Sequence, residues 1–150
     1  MSSALKSSLQ DAMKAAMKAG EKKRLGVIRL IMSALKQVEV DERIELDDTR
    51  IIEILDKMVK QRRESISQFD KAGRDDLSTI EKTEIEIIQT FLPQALNESE
   101  IEAIINDAIS KTGAESIKDM GKVMGIVKPK IVGRGDMGVI SGKIKSLLSA

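Results

Sequence analysis

Apolar residues recur at the three- and four-residue spacing of an α-helix along nearly the whole chain. The first stripe runs from Leu5 to Met17, and Gly20 stands where a glycine commonly ends a helix. A second stripe runs from Val27 to Val38 and stops where an acidic stretch interrupts the apolar period. The pattern predicts two helices in this part of the chain, joined near Gly20.

The longest predicted helix follows that acidic stretch. Asp47 or Asp48 is suited to cap its N-terminus, and apolar residues recur from there until Gly73. A further helix follows Gly73 and ends before Pro93, because a proline disfavours helical geometry in the residue that precedes it. The two helices therefore form a predicted antiparallel hairpin.

One charged residue interrupts the apolar seam of each hairpin helix. Arg62 lies between Val59 and Ile66 in the first seam, and Glu84 interrupts the second. Both are equally far in sequence from the turn at Gly73, so antiparallel packing brings them to the same height. Because a guanidinium in an apolar seam needs a partner, we expect Arg62 and Glu84 to form a structural ion pair.

The last third of the chain contains a second set of helical signals. Asn97 and Glu100 match an N-terminal capping pattern, and Gly113 ends the helix that they begin. A short helix opens at Ser116. The stretch Gly125–Gly135 is rich in glycine, proline and cations, which predicts a connector before a final helix.

These patterns together predict an all-α protein. An N-terminal helical domain of about four helices is predicted for residues 1–93, and a small C-terminal three-helix domain for residues 97–150. The second domain is short enough for its core to be marginal.

The composition excludes several kinds of chemistry. The chain has no cysteine and no histidine, which rules out Ser-His-Asp and Cys-His catalysis, zinc fingers and redox dithiols. Two Ser-x-x-Lys matches, beginning at Ser3 and Ser33, are no more than chance provides in this composition. The acidic stretch Glu39–Asp48 lacks the ligand spacing and turn glycine of an EF-hand. No catalytic residue, metal or cofactor is therefore expected.

The sequence also predicts a location. No apolar run approaches the length of a membrane span. Lysines interrupt the short apolar runs near the N-terminus, which argues against a secretory signal peptide. A chain without cysteine is compatible with a reducing compartment. We therefore expect a cytoplasmic protein with no membrane partner.

Charge is segregated along the chain, although the net charge is only +1. Residues 120–150 carry six basic side chains and one acidic side chain, and glycines within this segment leave backbone N–H groups free to face an anion. We predict a nucleic-acid-binding surface here, formed by Lys122, Lys128, Lys130, Gly133, Arg134 and Gly135. A flexible, solvated connector between two helices is the alternative interpretation.

A second polar cluster lies on the longest predicted helix. Its members form a possible partner face and are Lys57, Lys60, Gln61 and Arg63. An ordinary solvated helix face explains the same residues, and this alternative stays open.

Several short motifs occur in a fixed order along the chain. They are Lys57–Ser65 (KMVKQRRES), Ala72–Leu77 (AGRDDL), Phe91–Pro93 (FLP), Asp119–Gly125 (DMGKVMG) and Gly133–Asp136 (GRGD). With these motifs the chain resembles the YqeY proteins of the GatB/YqeY family over essentially its whole length.

The resemblance implies a C-terminal domain similar to the tail of the B subunit of the tRNA-dependent amidotransferase. In that enzyme the tail contacts tRNA, and the glutaminase and kinase chemistry lies elsewhere. The implied function is a tRNA-binding or amidotransferase-associated accessory protein without catalysis of its own, whose partner is tRNA or the tRNA-charging and amidotransferase machinery. Two alternatives stay open: a carbon-nitrogen ligase with glutamine as amido-N-donor, and a helical adaptor that binds another protein.

Overall fold

The computed structural model describes residues 3–149, and in this part of the chain it contains seven α-helices, one short 3₁₀ turn and no strand. The all-α prediction is confirmed for these residues. The 3₁₀ turn is Ile117–Asp119. The helices are α1 (Ala4–Ala19), α2 (Lys22–Glu42), α3 (Asp48–Lys71), α4 (Asp75–Gln89), α5 (Glu98–Thr112), α6 (Met120–Ile131) and α7 (Met137–Ser149).

The chain divides between Pro93 and Gln94 into two compact units. The first unit contains α1–α4 and the second contains α5–α7. Residues 94–96, which lie between the two predicted domains, belong to the second unit, where the backbone N–H of Leu96 donates to the carbonyl of Arg134 at 2.8 Å. That the two units fold independently stays a prediction.

The core of the first unit is built on the α3–α4 hairpin, with α1 and α2 packed on it. The apolar stripes of the sequence supply this core, because residues at helical spacing face the same side. Full burial of each such side chain contributes about 1.5–3 kcal/mol. The largest side chains that are almost completely buried here are Leu9, Ile28, Ile31, Leu35, Ile51, Leu55 and Ile88.

The helix ends follow the local signals of the sequence. Gly20 and Gly113 adopt left-handed backbone conformations with φ of 70° and 65°, as helix-ending glycines do. Asp47 caps α3 by accepting a hydrogen bond from the backbone N–H of Arg50 at 2.8 Å. Asp48 has a different role, because its carboxylate accepts hydrogen bonds from the Ser3 hydroxyl and the Leu5 backbone N–H at the start of α1.

Asp48 should give the first unit part of its acid sensitivity. The hydroxyl of Ser3 and the backbone N–H of Leu5 donate to its carboxylate, and these bonds lower the pKa of Asp48 below its ordinary value. The unfolded chain then binds the proton more readily, so the stabilisation is present above about pH 4 and is lost as the pH falls through the lower folded-state pKa. Asp48→Asn should therefore make the free energy of unfolding depend less on pH below about pH 4.

Urea unfolding of the full chain between about pH 7 and pH 3 measures this effect. The matched control is Glu64→Gln, which removes an exposed carboxylate elsewhere on α3. Identical acid dependence in the Asp48→Asn variant and the unmodified chain would contradict the assignment.

The prediction of a connector at Gly125–Gly135 is wrong for residues 125–131. Helix α6 continues to Ile131 and holds Pro129 in its last turn. Val123, Val127 and Ile131 recur at four-residue spacing and are completely buried in the core of the second unit. Their burial outweighs the missing N–H of one proline near a helix end, so the chain stays helical through this segment.

Candidate nucleic-acid interface

Arg134 lies in the turn between α6 and α7 and holds the start of the second unit in place. Its Nε donates to the carbonyl of Gln94 at 3.1 Å, and its own carbonyl accepts from the N–H of Leu96. Its backbone N–H donates to the carbonyl of Ile131 at 2.7 Å. Gly133, with φ of 76°, provides the reversal that allows this turn. Arg134 therefore joins two parts of the second unit, in addition to any contact with a ligand.

The other glycine of the turn has a packing role. A Cβ atom on Gly135 would lie 3.1 Å from Cδ1 of Ile140 and 3.3 Å from Cγ2 of Ile131, so a larger residue would press on the core. The start of α7 is capped from within the chain, because Asp136 Oδ1 accepts from the N–H of Gly138 at 2.9 Å. An anion would have to compete with this carboxylate for the first turn of α7.

The lysines of α6 face different directions. At about 100° per residue, Lys128 and Lys130 project about 160° apart around the helix. Lys130 approaches Asp107 of α5, with Nζ 3.8 Å from Oδ2, and Lys111 binds the same carboxylate at 3.1 Å. The structure therefore places the three predicted lysines on one helix and Arg134 in the turn after it, but does not bring Lys128 and Lys130 onto one face.

Lys122 lies near Asp119, whose carboxylate caps the 3₁₀ turn before α6 and makes no capping bond to α6 itself. The backbone N–H groups of Glu115 and Ser116 donate to Asp119 Oδ2 at 3.1 Å and 3.4 Å. These bonds, with a smaller contribution from the Lys122 charge, lower the pKa of Asp119. Lys122 itself is exposed and forms no ion pair within residues 3–149.

Sequence reasoning missed Lys145, an exposed cation of α7. The signal was present, because Lys145 belongs to the same basic segment, but it lies outside the glycine-rich turn on which the prediction concentrated. No ion pair in residues 3–149 involves Lys128 or Lys145. Together with the exposed Lys122, these two lysines are available cations of the α6–α7 segment.

The possible partner face on α3 is only partly free. Lys57, Gln61 and Arg63 are exposed, whereas Lys60 Nζ lies 3.2 Å from Oδ2 of the buried Asp56. The four-residue spacing of Asp56 and Lys60 was the sequence signal for this pair. The face therefore includes one lysine that is already paired along its own helix.

The structure brings Arg62 and Glu84 together across the α3–α4 hairpin. Arg62 Nε donates to Glu84 Oε2 at 2.8 Å, and Arg62 Nη1 donates to the carbonyl of Met58 at 3.2 Å. The two side chains are 15% and 23% exposed. The pair is therefore mostly shielded from solvent and ties the two hairpin helices to each other.

Comparison with known proteins gives a consistent family match. The family model described as "Yqey-like protein" matches residues 6–148. A relative from Vanderwaltozyma polyspora is 32% identical over 120 residues, which are 75% of this chain and 64% of the relative. A relative from Clavispora lusitaniae is 38% identical over 124 residues, or 74% of this chain and 71% of the relative. One from Pyrenophora tritici-repentis is 28% identical over 145 residues, or 95% of this chain and 80% of the relative.

All three relatives are named "Altered inheritance of mitochondria protein 41, mitochondrial". The prediction of a cytoplasmic location is contradicted by these names, which assign the relatives to mitochondria. The chain spans 64% of the Vanderwaltozyma polyspora relative and 57% of one from Lachancea thermotolerans. Within residues 3–149, no helix has both the length and the apolar character needed to cross a membrane.

Proposed function

This chain belongs to the YqeY-like protein family, and from that premise we propose that it is a tRNA-binding accessory protein whose second unit contacts the phosphate backbone. The resemblance to the GatB/YqeY family implies that this unit is similar to the tail of the amidotransferase B subunit, which supports tRNA as the nucleic acid. The name of the mitochondrial relatives describes an inheritance phenotype and specifies no ligand.

The observation that carries this proposal is the unbalanced charge of α6, α7 and the turn between them. Residues 120–150 hold six cations and one carboxylate, and that carboxylate, Asp136, is bound to the backbone of Gly138. Helix α5 of the same unit carries most of the opposite charge. An anionic ligand on the α6–α7 side would supply the counter-charge that the protein does not provide there.

The aromatic content favours recognition of phosphates and helix shape over recognition of bases. The chain has two phenylalanines and no tryptophan or tyrosine. The guanidinium carbon Cζ of Arg24 lies over the ring of Phe91, 5.1 Å from the centroid of that ring. Phe69 is partly buried on α3. Proteins that read single-stranded bases usually stack them on exposed aromatic rings. A folded, double-helical RNA such as tRNA fits this chain better.

The basic stretch of the first unit is a weaker candidate for the same role. Residues 1–36 carry eight basic and two acidic side chains, but residues 37–56 carry eight acidic and two basic ones. The two stretches meet directly, since Lys6 Nζ lies 2.7 Å from Glu39 Oε1. Lys6 and Arg24 of this stretch form ion pairs, and the acidic stretch beside it repels a polyanion, so the first unit is the weaker candidate.

Removing two of the available lysines should weaken tRNA binding and reduce its dependence on salt. Each phosphate contact releases counterions, so the double variant Lys128→Ala/Lys145→Ala should lower the slope of log affinity against log salt by about 0.7 to 0.9 for each lysine. Fluorescence anisotropy of labelled bulk tRNA between about 50 and 200 mM salt measures both quantities.

Two single variants serve as controls for this measurement. Lys111→Ala removes a cation 3.1 Å from Asp107, and Lys130→Ala removes one 3.8 Å from the same carboxylate, so each should change the slope less than a lysine without an ion pair does. Equal slopes for the double variant and the unmodified chain, with circular dichroism showing both folded, would refute the phosphate interface. Ammonia release from glutamine by the purified chain would favour the ligase alternative instead.

A further inference from the structure

The first unit contains an open groove of about 450 Å³ between α2 and α4. Its walls include two large apolar side chains that are half exposed, Leu30 at 48% and Ile80 at 57%. Its threonines offer few free polar groups, because the hydroxyls of Thr79 and Thr83 donate to carbonyls one turn earlier in α4. The groove is therefore an apolar surface that this unit leaves uncovered.

Gly26 lines this groove from the α2 side. A glycine within a helix costs about 1 kcal/mol relative to alanine. No atom lies within 4 Å of the position that a Cβ on Gly26 would take, so packing inside the unit does not require a glycine here. The missing side chain keeps the groove open.

The charged side chains that line the groove leave a positive charge without an ion-pair partner among residues 3–149. Lys22 and Lys23 line it at the start of α2, and no ion pair in residues 3–149 involves either of them. Glu84 lines it from α4 but is held by Arg62 at 2.8 Å. The positive end of the α2 dipole lies beside the two lysines, and Glu21 makes no side-chain cap there. The groove thus has apolar walls and a positive end.

We propose that this groove binds an amphipathic helix of a protein partner, with its apolar side chains between Leu30 and Ile80 and its acidic side chains beside Lys22 and Lys23. The stretch from Lys23 to Leu30 covers about 10 Å of α2, which matches about two turns of a bound helix. Apolar anchors at i, i+4 and i+7 fit such a groove. Charge complementarity selects an acidic helix, since a basic one would face the uncompensated lysines.

Selection of displayed helical peptides against the full chain tests this proposal. A library of about 16 residues, long enough to cover the groove, randomises the apolar and charged positions of one helix face. The enriched peptides should carry apolar residues at i, i+4 and i+7 and glutamate or aspartate near one end. A fluorescein-labelled copy of the most enriched peptide then serves as the probe for affinity measurements.

Gly26→Leu should fill the groove without a clash, keep or raise the melting temperature, and weaken binding of the probe by at least about tenfold. The matched control is Gly142→Leu, because Gly142 is a helical glycine of the second unit that also has open space around its Cβ position. That variant should bind the probe as the unmodified chain does. Lys22→Glu/Lys23→Glu should weaken binding by about tenfold through charge reversal.

If Gly26→Leu fails to fold by circular dichroism, Ile80→Glu replaces it, because this side chain is mostly exposed and its substitution leaves the core intact. Enrichment of basic peptides, or an affinity unchanged by the groove variants, would overturn the proposal. A dimer of the unmodified chain that sedimentation detects and Gly26→Leu abolishes would also overturn it, because the occupant would then be a second copy.

Discussion

Replacing Ile131 by alanine should unfold the second unit while the first unit keeps its helices. Ile131 is completely buried in the core that α5, α6 and α7 share. Truncation of a buried isoleucine to alanine costs about 2–5 kcal/mol, and a unit of this size is stabilised by only about 3–5 kcal/mol. Amide resonances of the full chain distinguish the units, so those of α5–α7 should lose dispersion while those of α1–α4 persist.

The matched control is Val139→Ala, which removes methyl groups from a side chain of α7 that is 57% exposed. This change should alter stability by less than about 0.5 kcal/mol. Simultaneous loss of both sets of resonances in Ile131→Ala would show that the two units do not fold separately. An undisturbed second unit would contradict the continuation of α6 past Pro129 into the core.

Arg62→Met should destabilise the first unit by about 2 kcal/mol. Removing one partner of a fully buried ion pair costs about 3–5 kcal/mol because the other charge is left without compensation. Arg62 and Glu84 are 15% and 23% exposed, so solvent screens part of this cost. The substitution also removes the hydrogen bond from Arg62 to the carbonyl of Met58. Urea unfolding of the full chain, followed on first-unit resonances, gives the value.

A double-mutant cycle separates the pair from the individual side chains. Glu84→Gln should also destabilise the unit, and Arg62→Met/Glu84→Gln should recover about 1 kcal/mol relative to the sum of the single effects. The control cycle uses Arg74 and Asp76, which bind at 3.1 Å but are 56% and 65% exposed, and whose coupling should be smaller. Additive effects of Arg62 and Glu84 within about 0.3–0.5 kcal/mol would mean that the pair contributes nothing.

Sequence signals located most helix ends because those ends are set by neighbouring residues. The capping box of Asn97 and Glu100 forms as predicted, with the N–H of Glu100 donating to Asn97 Oδ1 at 2.8 Å. Gly20 and Gly113 end their helices as predicted. Each of these features depends on fewer than about five consecutive residues, which a sequence displays directly.

The α6–α7 segment was harder to predict because tertiary burial outweighs local propensity there. Glycine and proline in this segment indicated a connector, yet Val127 and Ile131 hold it helical in the core. That change decides which way the lysines face, since a helix fixes about 100° between successive residues and a flexible connector does not. The separation of Lys128 from Lys130 therefore could not be predicted from their positions in the sequence.

The α2–α4 groove could not be predicted from the sequence at all. Gly26 and Leu30 lie about fifty residues before Ile80, and only the packing of α2 against α4 brings them together. Long-range contacts of this kind depend on the whole fold of the unit. The Arg62–Glu84 pair was an easier inference, because a single hairpin turn relates its two helices.

Resonance mapping of an RNA complex shows which unit of the chain binds tRNA. The full chain labelled with ¹⁵N is titrated with a tRNA acceptor minihelix at near-physiological salt, and the shifted amides are assigned. We expect the largest changes around Lys128 and Lys145, with smaller changes on α5 and in the first unit. Changes concentrated on α1 and α2, or no changes at any residue, would contradict the assignment of tRNA binding to the second unit.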